Sequence, residues 1–184
     1  MIWLLVILGI VLLAGLMLVV LYNRLVQQRN RVDNAWAQVE VQLKRRWDLI
    51  PNLVESVKGY AAHERGTFEA VTEARTSAQN AKTPADTAAA EGILGAALGR
   101  LFAVAEAYPE LQADENFRQL QTELAETENR VAVSRQVYND SVLTYNNTVQ
   151  TFPGLMVAGP FGFSIREFFE VEEEAQREAP VVDF

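Results

Sequence analysis

Three cationic side chains, Lys44, Arg45 and Arg46, lead into Trp47, Asp48 and Pro51 in the stretch QLKRRWDLIPNLVES, residues 42–56. On a helix, Asp48, Asn52 and Glu55 stand four and three positions apart and share one face. Acids and an amide beside guanidinium groups can border a polar cleft that holds a ligand or moves a proton. The same side chains can instead join helices through hydrogen bonds and ion pairs that fix register, and we favour this reading. With Glu128 and Arg130 farther along, they form a candidate polar seam of Arg46, Asp48, Asn52, Glu55, Glu128 and Arg130. Tyr138 and Tyr145 lie seven residues apart, as do Asn139 and Asn146, and such heptad repetition adds the two amides to the seam.

Most catalytic chemistries lack their residues. The chain has one histidine, His63, and no cysteine. A di-iron bundle needs two Glu-x-x-His motifs and a zinc-protease helix needs His-Glu-x-x-His, so neither centre can be assembled. His63 and Glu64 are neighbours and diverge on a helix, which places His63 at a surface or interface. No Gly-x-Ser-x-Gly elbow, P-loop or dinucleotide fingerprint occurs. GILGAALG spaces Gly95 and Gly99 four apart, which suits a close helix approach better than a phosphate. Glu123, Glu126 and Glu128 interleave at helical spacing as a solvated or bridging face. The sequons at Asn139 and Asn146 fall mid-helix and match by chance. No metal, cofactor or enzymatic activity is expected.

These residues must be positioned by helices, because no period-two strand pattern appears anywhere. Residues 2–22 contain no charge and as a helix reach about 31 Å, the span of a bilayer core of roughly 30 Å. A cleaved signal peptide would need a basic start, a shorter apolar core and a small-x-small site, none of which is visible. Arg24, Arg29 and Arg31 follow the span at once, where they would meet lipid headgroups. This charge bias places the N-terminus outside and the remaining chain in the cytoplasm. The net charge of −8 argues against nucleic acid as a partner.

Beyond the span, Val32, Trp36, Val39, Leu43, Trp47, Ile50, Val54, Val57 and Ala61 recur at steps of three and four, one face of a long amphipathic helix predicted to end near residue 80. Thr83, Pro84 and Asp86 carry the capping, first-turn and dipole signals of a second helix, predicted to stop at Tyr108 before Pro109. Asp114 opens a third, with Phe117, Leu120, Leu124, Val131, Tyr138, Val142, Tyr145 and Val149 on one face, ending at Phe152. A glycine and proline loop follows, then SIREFFEVEEEAQRE, read as a short amphipathic helix with Phe168 and Phe169 facing inward. Residues 1–23 are thus an anchor, 24–152 a helical domain, and 153–184 a loop, short helix and acidic tail. Pro51 cannot bond the carbonyl of Trp47, but the apolar phase carries across it. We therefore expect a kink in a continuous helix, with Arg45, Arg46 or Asn52 donating to the freed carbonyl.

The chain resembles the LemA family of bacterial membrane-anchored proteins. The resemblance rests on residues 22–64, on LQTELAETENRVAVSRQVYNDSVLTYN (residues 120–146) and on FPGLMVAGPFGF (residues 152–163), and it spans nearly the whole chain. It implies an all-α protein: an N-terminal transmembrane helix, then a cytoplasmic antiparallel up-and-down bundle of about four long, coiled-coil-like helices. It implies no reaction. Geometry alone leaves a two-arm hairpin open, since residues 24–80 would reach about 85 Å and the next two helices together about 93 Å.

The reading is a single-pass protein of the bacterial inner membrane: a tethered helical scaffold that contacts the bilayer, assembles with its own copies and engages other membrane proteins. Alternatives are a ligand sensor or enzyme using the cluster around Asp48, Asn52 and Glu55, or a membrane-shaping protein whose Phe161, Phe163, Phe168 and Phe169 enter the interface.

Overall fold

The computed structural model describes residues 1–61 and 63–170. Among the described residues six helices follow in order: α1 Ile2–Lys58, α2 Arg65–Asn80, α3 Pro84–Glu106, α4 Pro109–Ala113, α5 Glu115–Gln150 and α6 Gly154–Ala158. Among the described residues there is no strand, and the protein is all-α.

The apolar beginning of α1 has none of its length covered by the rest of the chain. Exposed side chains of this kind are stable only in an apolar medium, so residues 2–22 have the length, composition and surface of a membrane span. Helix α3 is also long and apolar, but nearly half of its apolar window is buried within the protein, as befits a core helix.

The chain forms two compact units, to both of which α1 and α5 contribute. Residues 1–39 and 134–167 make the first. Its core takes Leu25, Val32, Ala35 and Val39 from α1, Tyr138, Val142, Tyr145 and Val149 from α5, and Val157, Ala158 and Phe163 from the chain that follows. Trp36 and Tyr138 meet with ring centroids 5.1 Å apart. Gly154 is required where the chain turns at the foot of α5, because a Cβ there would collide with the carbonyl of Thr148.

Residues 40–133 and 168–170 belong to the second unit. Here α1, α2, α3 and α5 surround one core that includes Ile50, Leu53 and Val57 of α1, Phe68 and Val71 of α2, Leu94, Leu98 and Leu101 of α3, Leu111 of α4, and Phe117 and Leu124 of α5. Short connections make successive helices reverse, which is the up-and-down arrangement. The expected caps are present. The Thr83 hydroxyl accepts from the Asp86 amide at 3.1 Å, Pro84 opens α3, and the Asp114 carboxylate accepts from the Phe117 amide at 2.9 Å.

Four local expectations are corrected. The long first helix does not run on to residue 80: α1 ends at Lys58, the chain reverses, and a separate helix, α2, covers Arg65–Asn80. Ala61 sits in that reversal yet is buried in the same core as Val57, so the apolar spacing continues through a break it cannot reveal. Pro109, expected only to stop a helix, also starts the five-residue α4. Residues 163–170 are not helical, although Phe169 is buried and Phe168 half-buried; the rest of the predicted final helix lies outside the described residues. Within the chain, no other helix makes a close approach at Gly95 or Gly99, since a Cβ at either would meet nothing within 4 Å.

Because that space is open and both glycines lie inside α3, G95A/G99A should stabilise the protein by about 0.5–1 kcal/mol per site through helix propensity. Urea unfolding checks this. Destabilisation would show that the glycines face a surface that the single chain leaves uncovered.

Candidate functional site

The junction is built on a backbone defect. Helix α1 continues through Pro51, which supplies no N–H to the Trp47 carbonyl four residues earlier. The donor comes from another helix. Arg75 of α2 donates from Nε to the Trp47 carbonyl oxygen at 2.7 Å. The expected donors Arg45, Arg46 and Asn52 are therefore replaced by Arg75, which is far away in sequence and was not singled out by its spacing.

The adjacent side chains reach α3. Arg46 Nη1 donates to Glu91 Oε2 at 3.0 Å, and Trp47 Nε1 donates to Glu91 Oε1 at 2.7 Å, so each carboxylate oxygen has its own donor. Side-chain exposure is 9% for Arg46 and 5% for Glu91, making this a buried ion pair. Arg46 Nη2 also lies 3.9 Å from Glu128 Oε2 on α5, a carboxylate that remains open to water. Two successive residues of α1 thus engage α2, α3 and α5.

Burial pushes the Glu91 carboxyl above its ordinary range, against the Trp47 hydrogen bond and the Arg46 charge, which both favour the anion. With both oxygens accepting from donors on α1, the Glu91 carboxylate ties α1 to α3. A carboxylate isolated in the apolar run TAAAEGILGAAL was the available signal, and sequence reading passed over it.

Of the candidate seam, only Arg46 and Glu128 come together. Asp48 is exposed and pairs with Lys44 at 2.8 Å; Glu55 is exposed and pairs with Lys58 at 2.8 Å; Asn52 is exposed. These three share a face, as spacing requires, but within the chain that face meets solvent. Arg130 lies 3.9 Å from Glu126 on its own helix. A groove of about 280 Å³ is lined by Arg45, Leu49, Glu123, Glu126, Thr127 and Arg130. A larger open groove of about 710 Å³ runs along α2 between Lys58 and Asn80. Neither is bordered by Asp48, Asn52 or Glu55. His63 is exposed in the turn after α1, and among the described residues no three His, Asp or Glu side chains gather as metal ligands.

In the first unit the amide prediction is corrected in kind. Asn146 does not pair with a second helix. Its Nδ2 donates to the Arg166 carbonyl and its Oδ1 accepts from the Arg166 amide, both at 2.8 Å, as a neighbouring strand would. The Tyr138 hydroxyl donates to the Glu167 carbonyl at 2.8 Å, and Arg166 pairs with Asp33 at 3.0 Å. Burial pushes the Tyr138 phenol up to about 12. Asn139 is half-buried. Of the headgroup candidates, Arg24 and Arg31 are exposed, whereas Arg29 is partly covered and lies over the Phe163 ring at 5.4 Å.

Two predictions follow from the junction. R75A should cost about 1 kcal/mol because it leaves a part-buried carbonyl without its donor, and the cost should shrink in a P51A background, where an N–H is restored to the same oxygen. Equal costs in both backgrounds would show that Arg75 acts elsewhere. For Glu91, the folded-state pKa lies above the unfolded one, so the folded protein binds the extra proton between the two values and this group's stability contribution falls as pH rises through that window. Relative to E91Q, the wild type should therefore gain stability as pH is lowered from neutrality towards 4.5, read from urea midpoints; the opposite slope would show that the Arg46 pair outweighs burial.

A sequence profile described as the LemA family matches residues 35–184. Magnetosome proteins MamQ 1 and MamQ 2 of Paramagnetospirillum magneticum are each 29% identical over 187 residues, covering 88% of this chain and 68% of theirs. Protein LemA of Metamycoplasma hominis is 26% identical over 134 residues, covering 71% of this chain and 60% of that protein. The helical order, the N-terminal apolar helix and this match over most of the chain agree: the protein belongs to the LemA family.

Proposed function

We propose that the protein is a membrane-tethered helical scaffold that assembles with copies of itself. The observation carrying this reading is that one uninterrupted helix, α1, bears both an apolar stretch left uncovered by the chain and residues buried in the bundle core. The polar junction is occupied by its own side chains, which supports a role in holding helices. Neither the family description nor the relatives' names carry a reaction, which supports a non-catalytic role. Val41, Val133, Val137 and Leu143 are large apolar side chains exposed on α1 and α5, and they are suitable points of contact with a second copy or another membrane protein.

The cations after the span support a bacterial inner-membrane placement with the N-terminus outside and the helices in the cytoplasm. Photo-crosslinking residues placed singly at Val41, Val133, Val137 and Leu143 in membranes should capture a second copy from at least one position. A C-terminal green fluorescent protein should fluoresce, and the helices should resist protease added to intact cells. A monomer at every concentration in detergent, together with no adduct at any of the four sites, would sink the scaffold reading; cleavage from outside would reverse the orientation.

A further inference from the structure

We propose that residues 152–161, at the foot of α5 and on α6, are a second membrane contact that seats in the interfacial layer of the leaflet where α1 leaves the lipid. This rests on α1 spanning the membrane.

Sequence sets the composition of the element. No charged side chain occurs between Asp140 and Arg166, and no acidic one between Met1 and Asp33, although the whole chain has 24 acids. The first unit therefore has one end free of the negative charge that would oppose approach to anionic lipid. The exposed cations Arg24 and Arg31 lie within that acid-free stretch.

Structure sets the presentation. Val157 and Ala158 are buried, while Phe152, Leu155, Met156 and Phe161 are 75%, 58%, 68% and 57% exposed. An uncharged turn showing four large apolar side chains to water is unfavourable, and its apolar area suits the boundary between headgroups and acyl chains. Gly154 holds this turn against the Thr148 carbonyl, so the element is presented by the fold.

Location selects lipid as the occupant. Tyr22 closes the apolar stretch, and with Trp3 it brackets about 28 Å of helix, the spacing of an aromatic pair at the two faces of a bilayer. Phe161 and Phe163 pack edge-on against Tyr22 with centroids 5.1 and 5.7 Å away. The element therefore sits at the level where the span meets the headgroups. This shared position singles out lipid; exposure alone would also suit a second copy.

The chain has no cysteine, so single-site labelling of the full-length protein is direct. M156C, V11C and D140C, each carrying an environment-sensitive fluorophore, would be reconstituted in vesicles of phosphatidylethanolamine and phosphatidylglycerol. Lipids with a nitroxide near the headgroup should quench the Met156 position at least about twofold more than the Asp140 position, with a blue-shifted emission, as interfacial burial requires. Equal exposure of both positions to an aqueous quencher would overturn the proposal. Shielding of Met156 from both quenchers would also overturn it and identify a second copy as the cover. Lipid nitroxides placed deep in the acyl region should quench the Val11 position. If they do, failure at Met156 counts against this contact alone; if they do not, the span fails and the contact with it.

Discussion

A single backbone oxygen organises the second unit. Proline within α1 removes the hydrogen bond that the Trp47 carbonyl would otherwise receive, and a part-buried carbonyl without a donor is costly. Arg75 supplies the donor from α2. The same turn of α1 points the Arg46 guanidinium and the Trp47 indole at Glu91 on α3. A defect in one helix is thus the place where three helices are joined.

Such a junction contributes more to specificity than to net stability. Desolvating Arg46 and Glu91 offsets much of their attraction, and an apolar replacement of the whole cluster would fill the same space. Directional bonds do what apolar contact cannot, because they reject a helix shifted by one turn. The first unit applies the same logic to an extended segment. There, Asn146 and Tyr138 bind main-chain groups of Arg166 and Glu167, and fix that segment's register whatever side chains it carries.

Surface and interior divide the labour accordingly. The two acids and the amide of α1 that suggested a cleft, Asp48, Glu55 and Asn52, face solvent, the acids in local pairs that contribute little. The polar groups that determine the architecture are few and buried. What remains on the outside is a lipid-compatible helix, an uncharged apolar turn and scattered apolar positions on α1 and α5.

The sequence by itself determined the helical class, the apolar span, the starts of α3 and α5 and the inward faces of α1 and α5. These depend on local capping chemistry and on a 3.6-residue period, both written within a few neighbouring residues. It also located the proline and the orphaned carbonyl it must create. Tertiary structure alone decided which residue answers that carbonyl, that Glu91 accepts from Arg46 and Trp47, that Asn146 reads a backbone instead of a helix, and that α1 ends at Lys58. A hydrogen bond between residues 28 or 45 positions apart leaves no periodic trace, and Ala61, packed in the core from within a turn, continues the helical rhythm where the helix has already stopped.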